Sequence, residues 1–346
     1  MLKLSICIVA YNEEKYLPRL LADLKAQKYP HELTEIVLVD GMSADGTKRL
    51  MEAFQKENKE FYSVQVVENP KRIQAAGWNL AITHATGDVI ARIDAHTMLP
   101  PEYSSSVMHH IENGENVVGG MRPCLIENQT PWGDILLQTE NSLFGSSINR
   151  SRHSQQKSYV KTMFHAAYRR EVFERAGLFN EGLLRTEDNE MHYRIRESGY
   201  RLCYDPQILS YQYARSSLRL MLRQKFGNGK WVGITTGVCP KCLSAYHYVP
   251  FLFVLGIVFT SVCAAFGIWQ LAALMWGAYL AFALCNTVIS AVNARRLNPW
   301  MLLMPILFLV LHVIYGVGTA IGLCGLLFNK KYRSLRRASP TDNRKI

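Results

Sequence analysis

Two side chains that commonly bind cations stand two residues apart at the end of an apolar segment. The segment Gly87–His96 reads GDVIARIDAH, and Pro100 and Pro101 follow closely. In an extended chain residues i and i+2 point to the same side, so Asp94 and His96 can reach one point. This pair suits Mn²⁺ at least as well as Mg²⁺, because imidazole is a softer ligand than carboxylate. We therefore predict a divalent cation held by Asp94 and His96; alternatively, His96 only makes a hydrogen bond within the loop.

The first 215 residues alternate between apolar strands and helices. Strands are predicted at Leu2–Ala10 and Glu35–Asp40, each followed by a polar turn and a helix, and SVQVVENP and GDVIARIDAH continue the pattern. Continuously apolar strands in such an alternation predict an α/β fold with a mainly parallel sheet. Ligands bind at the carboxyl ends of strands in these sheets, where Asp40 and Asp94 stand. A dinucleotide-binding dehydrogenase is excluded, since the first turn, Tyr11–Glu14, contains no glycine.

The later part of the chain has the composition of a membrane region. From residue 246 to residue 328 the charged residues are Arg295 and Arg296 alone. Three apolar segments there, Tyr248–Ile268, Leu271–Val292 and Trp300–Leu327, are long enough to cross a bilayer as helices. The last contains Gly-x-x-x-Gly, which predicts a helix-packing face.

These patterns predict four parts of the chain. They are a first domain at 1–215, an amphipathic interfacial helix and linker at 216–245, about three transmembrane helices at 246–328, and a basic tail at 329–346. Most of the net charge of +11 lies in the tail and the apolar region. Positive charge is typical of membrane flanks, so membrane lipids and no nucleic acid are the predicted partners.

The expected location is the plasma membrane, with several crossings and a cytoplasmic first domain. The first apolar run is too short for a secretory signal. Three crossings would then place the basic tail outside, whereas positive charge favours the inside. The sequence leaves that conflict open.

Five segments with chemistry-bearing residues occur in a fixed order: SICIVAYNEE, VDGMSADGT, GDVIARIDAH, RTEDNEMHYRI and GNGKW. In these segments, over residues 3–231, the chain resembles the family-2 inverting glycosyltransferases with a GT-A fold. It looks most like membrane-bound transferases of bacterial exopolysaccharide assembly, of the succinoglycan type. The resemblance implies a GT-A domain and a D-x-D site at Asp94, with His96 replacing the second acid. It also implies Mn²⁺ or Mg²⁺ beside the departing diphosphate of a nucleotide-sugar.

The resemblance extends to the residues of the donor site. Ala10, Tyr11 and Glu13 would lie along the base and ribose, and Asp40 would accept a hydrogen bond from uracil or ribose. In the alternative, Asp40 is only a turn residue. The basic residues near strand ends that could face phosphate are Lys71, Arg72 and Arg92.

The base that deprotonates the attacking hydroxyl would, by resemblance, be Asp188. Glu187 beside it is its competitor and is assigned to the acceptor side; the alternative for Asp188 is a helix N-cap. Lys230 and Trp231 resemble the end of the family's Q-x-x-R-W motif. Lys230 would meet donor phosphate and Trp231 would stack on an acceptor sugar. The glycines around Asn228 predict a loop there.

The predicted function is the transfer of one sugar from a UDP-sugar to a lipid-linked saccharide on polyprenyl diphosphate, with inversion. Three alternatives remain open: a processive polysaccharide synthase, a transferase that glycosylates bare polyprenyl phosphate, and an inactive nucleotide-sugar-binding scaffold. Product length, the acceptor that is used, and binding without turnover distinguish them.

Overall fold

The computed structural model describes residues 1–126, 130–145, 156–213, 217–293 and 298–335. Their contacts form two compact units. The first comprises the described parts of 1–125 and 151–213, and the second those of 126–150 and 214–337. The first unit is therefore discontinuous in sequence, whereas the sequence predicts a single stretch. The basic tail beyond residue 335, and Arg295 and Arg296, lie outside the described residues.

The elements follow one another from strand to helix as expected. The strands are β1 Leu4–Ala10, β2 Thr34–Asp40, β3 Ser63–Glu68, β4 Val89–Asp94, β5 Thr97–Met98, β6 Val117–Met121, β7 Cys124–Leu125, β8 Ser158–Val160, β9 Ala167–Arg169, β10 Leu202–Leu209 and β11 Tyr211–Tyr213. The helices are α1 Leu17–Lys25, α2 Thr47–Glu57, α3 Gln74–His84, α4 Tyr103–Glu112, α5 Pro131–Asn141, α6 Arg170–Ala176, α7 Glu187–Glu197, α8 Leu218–Val238, α9 Val249–Ala265, α10 Trp269–Asn293, α11 Met304–Phe328 and α12 Lys330–Leu335.

An eight-stranded sheet in the order β3-β2-β1-β4-β9-β6-β10-β8 forms the centre of the first unit. β1 pairs in parallel with β2 and β4, and β6 with β10, while β9 runs antiparallel between β4 and β6. The predicted mainly parallel sheet is thus confirmed. Apolar cores cover both faces of the sheet, which explains the continuously apolar strands.

The register of the sheet brings the polar strand ends together. Ala10 pairs with Asp40 across β1 and β2, and Val9 pairs with Asp94 across β1 and β4. The carboxyl ends of three neighbouring strands therefore lie side by side. This edge carries the first unit's predicted site residues from β1, β2 and β4.

The described part of the second unit contains three helices that are long and apolar enough to cross a membrane, at Ala245–Ala265, Trp269–Asn293 and Pro299–Phe328. The predicted apolar segments are thus helical. Helix α5, from the middle of the sequence, packs with them. The rings of Trp132 and Trp300 lie 6.1 Å apart, and the Asn298 amide donates to the Pro131 carbonyl at 2.7 Å.

The predicted loop around Asn228 is wrong, because α8 runs through this segment without a break. Gly229, and Gly322 on α11, serve packing instead. A Cβ on Gly229 would lie 2.0 Å from the Tyr315 carbonyl oxygen on α11, and one on Gly322 would lie 2.1 Å from the Lys230 carbonyl oxygen. Two helix backbones can approach this closely only where side chains are absent. The packing face predicted from Gly-x-x-x-Gly on α11 is confirmed.

We expect Gly229→Ala to destabilise the second unit by about 1–3 kcal/mol, because the added methyl overpacks the contact between α8 and α11. Thermal unfolding of the full chain in detergent measures this as a lower Tm. Gly277→Ala on α10 is the matched control, since a Cβ there meets nothing within 4 Å. Equal Tm values for the two variants would contradict the close contact.

Candidate functional site

Asp94, at the end of β4, lies beside two basic side chains. Its Oδ2 is 3.2 Å from His165 Nε2 and 3.7 Å from Arg122 Nη1. Burial alone would raise the pKa of Asp94, but the hydrogen bond with His165 and the charges of His165, His96 and Arg122 hold it well below its usual range. Asp94 is therefore a carboxylate at neutral pH.

His165 is a site residue that the sequence did not indicate. Its ring is buried, with Nδ1 2.8 Å from the Ser210 hydroxyl and Nε2 3.2 Å from the Thr97 hydroxyl. Its backbone φ of 46° lies in the left-handed region, which a non-glycine residue rarely adopts. The surrounding contacts thus hold His165 in an uncommon conformation beside Asp94.

His96 is held by hydrogen bonds from the turn after β1 and from strand β11. Its Nδ1 lies 3.0 Å from Glu13 Oε1, and its Nε2 lies 2.6 Å from the Gln212 side-chain amide. These contacts correspond to the alternative in which His96 bonds within the loop, and contact with a metal stays a prediction. Glu13, predicted to lie along the base and ribose, is here the partner of His96.

The donor set near Asp94 is compatible with a cation shared with a ligand. Among the described residues, no three His, Cys, Asp or Glu side chains are arranged to hold a metal ion. Magnesium-type ions in phosphate-binding sites usually take only one or two protein ligands and complete their shell with phosphate oxygens and water. Asp94 and His96 fit that mode, provided that His96 releases the Gln212 amide.

The residues predicted along the base and ribose lie at the ends of β1 and β2. Both carboxylate oxygens of Asp40 lie 3.2 Å from the Ser43 backbone N–H, which is the turn role named as its alternative. Ala10 is buried opposite Asp40, and the Tyr11 side chain is 55% exposed. Arg72 is exposed after β3. Their contact with a nucleotide stays a prediction.

The turns after β1 and β2 are tied together by side chains. The Asn12 amide oxygen accepts the Ala44 N–H at 2.8 Å, and the Asn12 N–H donates to the Ser43 hydroxyl at 3.0 Å. Asn12 adopts φ 55°, which asparagine tolerates better than most residues. Hydrogen bonds therefore hold the turns after β1 and β2 together at this edge of the sheet.

The partner of Arg92 in the structure is a carboxylate, whereas the sequence predicts a contact with phosphate. Its guanidinium is buried, and Nη1 lies 2.6 Å from Asp188 Oδ1. Arg92 and Asp94 are i and i+2 on β4 and so point to the same side of the sheet. The contact therefore joins Asp188 to the strand that carries Asp94.

Asp188 and Glu187 begin α7 but differ in environment. The N-cap is Thr186, so Asp188 is inside the first turn and the N-cap alternative does not apply. The Asp188 side chain is 25% exposed, whereas Glu187 is 5% exposed and its Oε2 has no hydrogen-bond partner among the described residues. Burial first, and then the charge of Asp188, raise the pKa of Glu187 to about 8. Glu187 therefore keeps its proton at neutral pH.

We expect Glu187→Gln to stabilise the protein increasingly as the pH rises. The folded state raises the pKa of Glu187 from 4.5 to about 8, so between these values the unfolded chain releases a proton that the folded protein retains, and the free energy of unfolding of the wild type falls. Glutamine does not titrate. The Tm advantage of the variant should therefore widen up to about pH 8 and then stay constant. Glu197→Gln, at the exposed end of α7, is the control; a constant difference for Glu187→Gln would contradict the buried carboxyl.

Lys230 and Trp231 lie on α8 in the second unit. The Trp231 ring is 6.2 Å from the Tyr332 ring in an edge-to-face arrangement, and the Lys230 ammonium is 5.7 Å from the centre of that ring. Their predicted contacts with donor phosphate and acceptor sugar stay predictions.

Known proteins share the sequence pattern and the fold of this chain. The sequence profile of Glycosyl transferase family 2 matches residues 5–177. The chain is 25% identical, over 92% of its length and 97% of the relative, to the dolichyl N-acetyl-alpha-D-glucosaminyl phosphate 3-beta-D-2,3-diacetamido-2,3-dideoxy-beta-D-glucuronosyltransferase of Methanococcus voltae. It is also 25% identical, over 90% of its length and 92% of the relative, to the succinoglycan biosynthesis protein ExoA of Rhizobium meliloti (strain 1021).

Among solved structures, the fold is similar to that of a mannosyltransferase from Pyrobaculum calidifontis in complex with GDP-Man and Mn²⁺. The TM-score is 0.58 at 17% identity, over 95% of this chain and 88% of the other. At this identity the likeness shows the fold.

Proposed function

Because the chain belongs to glycosyl transferase family 2, we propose that it transfers one sugar from a UDP-sugar to a lipid-linked saccharide, with inversion at the anomeric carbon. The chain is a glycosyltransferase with a GT-A-like domain and three helices suited to a membrane. The donor, the stereochemistry and the acceptor are the proposed parts.

The observation that carries the proposal is the contact between Arg92 and Asp188. It holds a carboxylate of α7 on the same side of β4 as Asp94. Inversion needs two separate functions, a base for the attacking hydroxyl and a centre that accepts the leaving diphosphate. Asp188, on α7, supplies the carboxylate of the base. Asp94, at the end of β4, supplies a carboxylate that would hold the cation beside the leaving diphosphate.

In the proposed reaction the acceptor hydroxyl oxygen forms a bond to the anomeric carbon while the bond from that carbon to the diphosphate oxygen breaks. Asp188 takes the hydroxyl proton through its carboxylate. Glu187, protonated at neutral pH, can donate a hydrogen bond to the acceptor. A Mn²⁺ or Mg²⁺ ion, when bound at Asp94 and His96, supplies charge stabilisation to the diphosphate.

The lipid part of the acceptor is supported by the second unit. Its three apolar helices fit a substrate whose tail lies in the bilayer. The relative from Methanococcus voltae is named for a dolichyl phosphate-linked acceptor. We extend this chemistry to the present chain and propose Trp231 as the residue that stacks on the acceptor sugar and Lys230 as a cation for donor phosphate.

We also propose that the protein resides in the plasma membrane with several crossings and with its first unit in the cytoplasm, where nucleotide-sugars are made. Cysteine labelling of intact cells tests this orientation. Labelling from outside at an exposed position of the first unit, such as a cysteine placed at Lys56, would contradict it.

The test of function is transfer by the full chain in detergent. UDP- and GDP-sugars are offered with Mn²⁺, Mg²⁺ or chelator, beside a polyprenyl diphosphate-linked saccharide or bare polyprenyl phosphate. Mass spectrometry gives the number of sugars added, and NMR gives the anomeric configuration.

We expect metal-dependent addition of one sugar from one UDP-sugar, with inverted configuration, to the lipid-linked saccharide. Long products would indicate a processive synthase, and transfer to bare polyprenyl phosphate the simpler acceptor. UDP binding without turnover on either acceptor would support the scaffold. Retained configuration would contradict the role of Asp188.

A further inference from the structure

Arg92 is fixed in place by two aromatic rings. Its guanidinium carbon lies 4.5 Å from the ring centre of Trp78 and 4.5 Å from that of Phe179. The side chain is 8% exposed. A planar guanidinium stacks well on aromatic faces. With rings at this distance from its carbon, Arg92 has little freedom to turn, and its hydrogen-bonding edge keeps one direction.

That edge is directed at Asp188. Arg92 Nη1 lies 2.6 Å from Asp188 Oδ1, whereas Arg92 Nε has no hydrogen-bond partner among the described residues. A buried guanidinium is ordinarily placed to use several donors at once. Here Nη1 bonds the Asp188 carboxylate, Asp94 and Tyr168 also interact electrostatically with the guanidinium, and the Asp188 side chain stays 25% exposed. The arrangement orients Asp188 without covering it.

Among the described residues, Arg92 is the cation that lies within 4 Å of the Asp188 carboxylate. His192, one turn further along α7, is buried, and burial lowers its pKa to about 4, so its ring is neutral. Its two nitrogens are engaged by the Thr162 hydroxyl at 3.0 Å and the Tyr168 hydroxyl at 2.8 Å. Glu187 is protonated at neutral pH. Among these groups Arg92 alone bears a positive charge.

We propose that Arg92 is a positioning residue that fixes the orientation of the Asp188 carboxylate for proton transfer. This rests on the proposed function, in which Asp188 is the base. The role replaces the direct phosphate contact predicted for Arg92. The stacking rings of Trp78 and Phe179 act through Arg92 and touch no substrate in this assignment.

The test removes the Arg92 side chain by substitution and then adds free guanidinium ion to the assay solution. In Arg92→Ala we expect kcat to fall by about 10²-fold, because a misplaced catalytic group costs about that much. The KM values for donor and acceptor should change little. Added guanidinium ion should occupy the space between the two rings and restore part of kcat, whereas the same concentration of sodium chloride should not.

Arg170→Ala is the matched control. Arg170 is a partly buried arginine of the same unit whose guanidinium donates to the Gly87 carbonyl at 2.9 Å. Loss of this structural contact should lower Tm, and guanidinium should not raise the activity of this variant. The control thereby separates a positioning role from general support of the fold.

A second pair of variants keeps the inference testable if Arg92→Ala fails to fold. Arg92→Lys retains a cation without the planar stack, and Phe179→Leu removes one stacking face. Both should fold and show a lower kcat with nearly unchanged KM. Unchanged kcat in both, or an Arg92→Ala that loses donor binding instead of kcat, would overturn the positioning role. Full transfer by Asp188→Asn would instead overturn the base assignment itself, so the two failures are distinguishable.

Discussion

Asp188→Asn is expected to lower kcat by about 10²–10⁴-fold, the range that general-base catalysis contributes. Asparagine has nearly the size of aspartate and can still accept the hydrogen bond from Arg92 Nη1, but it cannot take a proton from the acceptor hydroxyl. Donor binding should persist, because the predicted donor residues at the ends of β1, β2 and β4, among them Ala10, Asp40 and Asp94, are unchanged in this variant. Single-turnover transfer with saturating donor and acceptor measures the chemical step.

The loss of a counter-charge for buried Arg92 also costs stability, and a control must account for it. Asp23→Asn serves this purpose. Asp23 is a buried carboxylate on α1 that pairs with Arg19 at 2.9 Å and accepts the Leu99 N–H at 3.0 Å. Both variants should lose stability, but only Asp188→Asn should lose the chemical step. Equal kcat for Asp188→Asn and wild type would place the base elsewhere.

Asp94→Ala is expected to lower kcat/KM by at least about 10³-fold, since charge stabilisation at a leaving diphosphate amounts to several kcal/mol. The substitution removes the predicted metal ligand and leaves His165 and Arg122 without their carboxylate partner. UDP release in the presence of Mn²⁺ and calorimetry of Mn²⁺ binding with UDP present both report the loss.

His165→Asn is a second variant with a smaller expected effect, because it keeps Asp94 but removes its imidazole partner. Partners of metal ligands typically change metal affinity or activity by about 10–100-fold. His110→Asn is the control, because His110 pairs with Asp205 at 3.1 Å on another part of the unit. Mn²⁺-dependent UDP release that survives in Asp94→Ala at the wild-type rate would remove the metal assignment.

The strand ends were predictable because their chemistry is local. Asp40 follows the apolar run Ile36–Val39, and Asp94 follows Val89–Ile93, which only Arg92 interrupts; an apolar run that stops at a carboxylate marks the edge of a buried sheet. The first turn of α7 was predictable for a similar reason, since its acidic residues favour a helix N-terminus. These positions required no knowledge of which strands are neighbours.

The remaining features of the site depend on contacts between distant segments. His165 stands 71 residues from Asp94 in sequence, within an apolar stretch that gives no sign of a polar role. Arg92 looks like a basic residue near a strand end, and its partner is 96 residues away. The sequence predicts a loop at Gly229 because glycine usually indicates local flexibility. The residue is glycine because the Tyr315 backbone on another helix leaves no room for a side chain.

Helix α5 has a consequence for the biosynthesis of the chain. Its buried residues Ile135 and Leu136 belong to a cluster whose other members include Met301 and Leu311. The ribosome makes those partners roughly 170 residues later, which at roughly 5–20 residues per second is a delay on the order of 10 s. During that interval the apolar face of α5 lacks Met301 and Leu311, although Met221 on α8, another member of the cluster, is made sooner and covers part of it first. Translation at a membrane surface, or a chaperone that shields this face, would protect the chain until α8 and then α11 emerge.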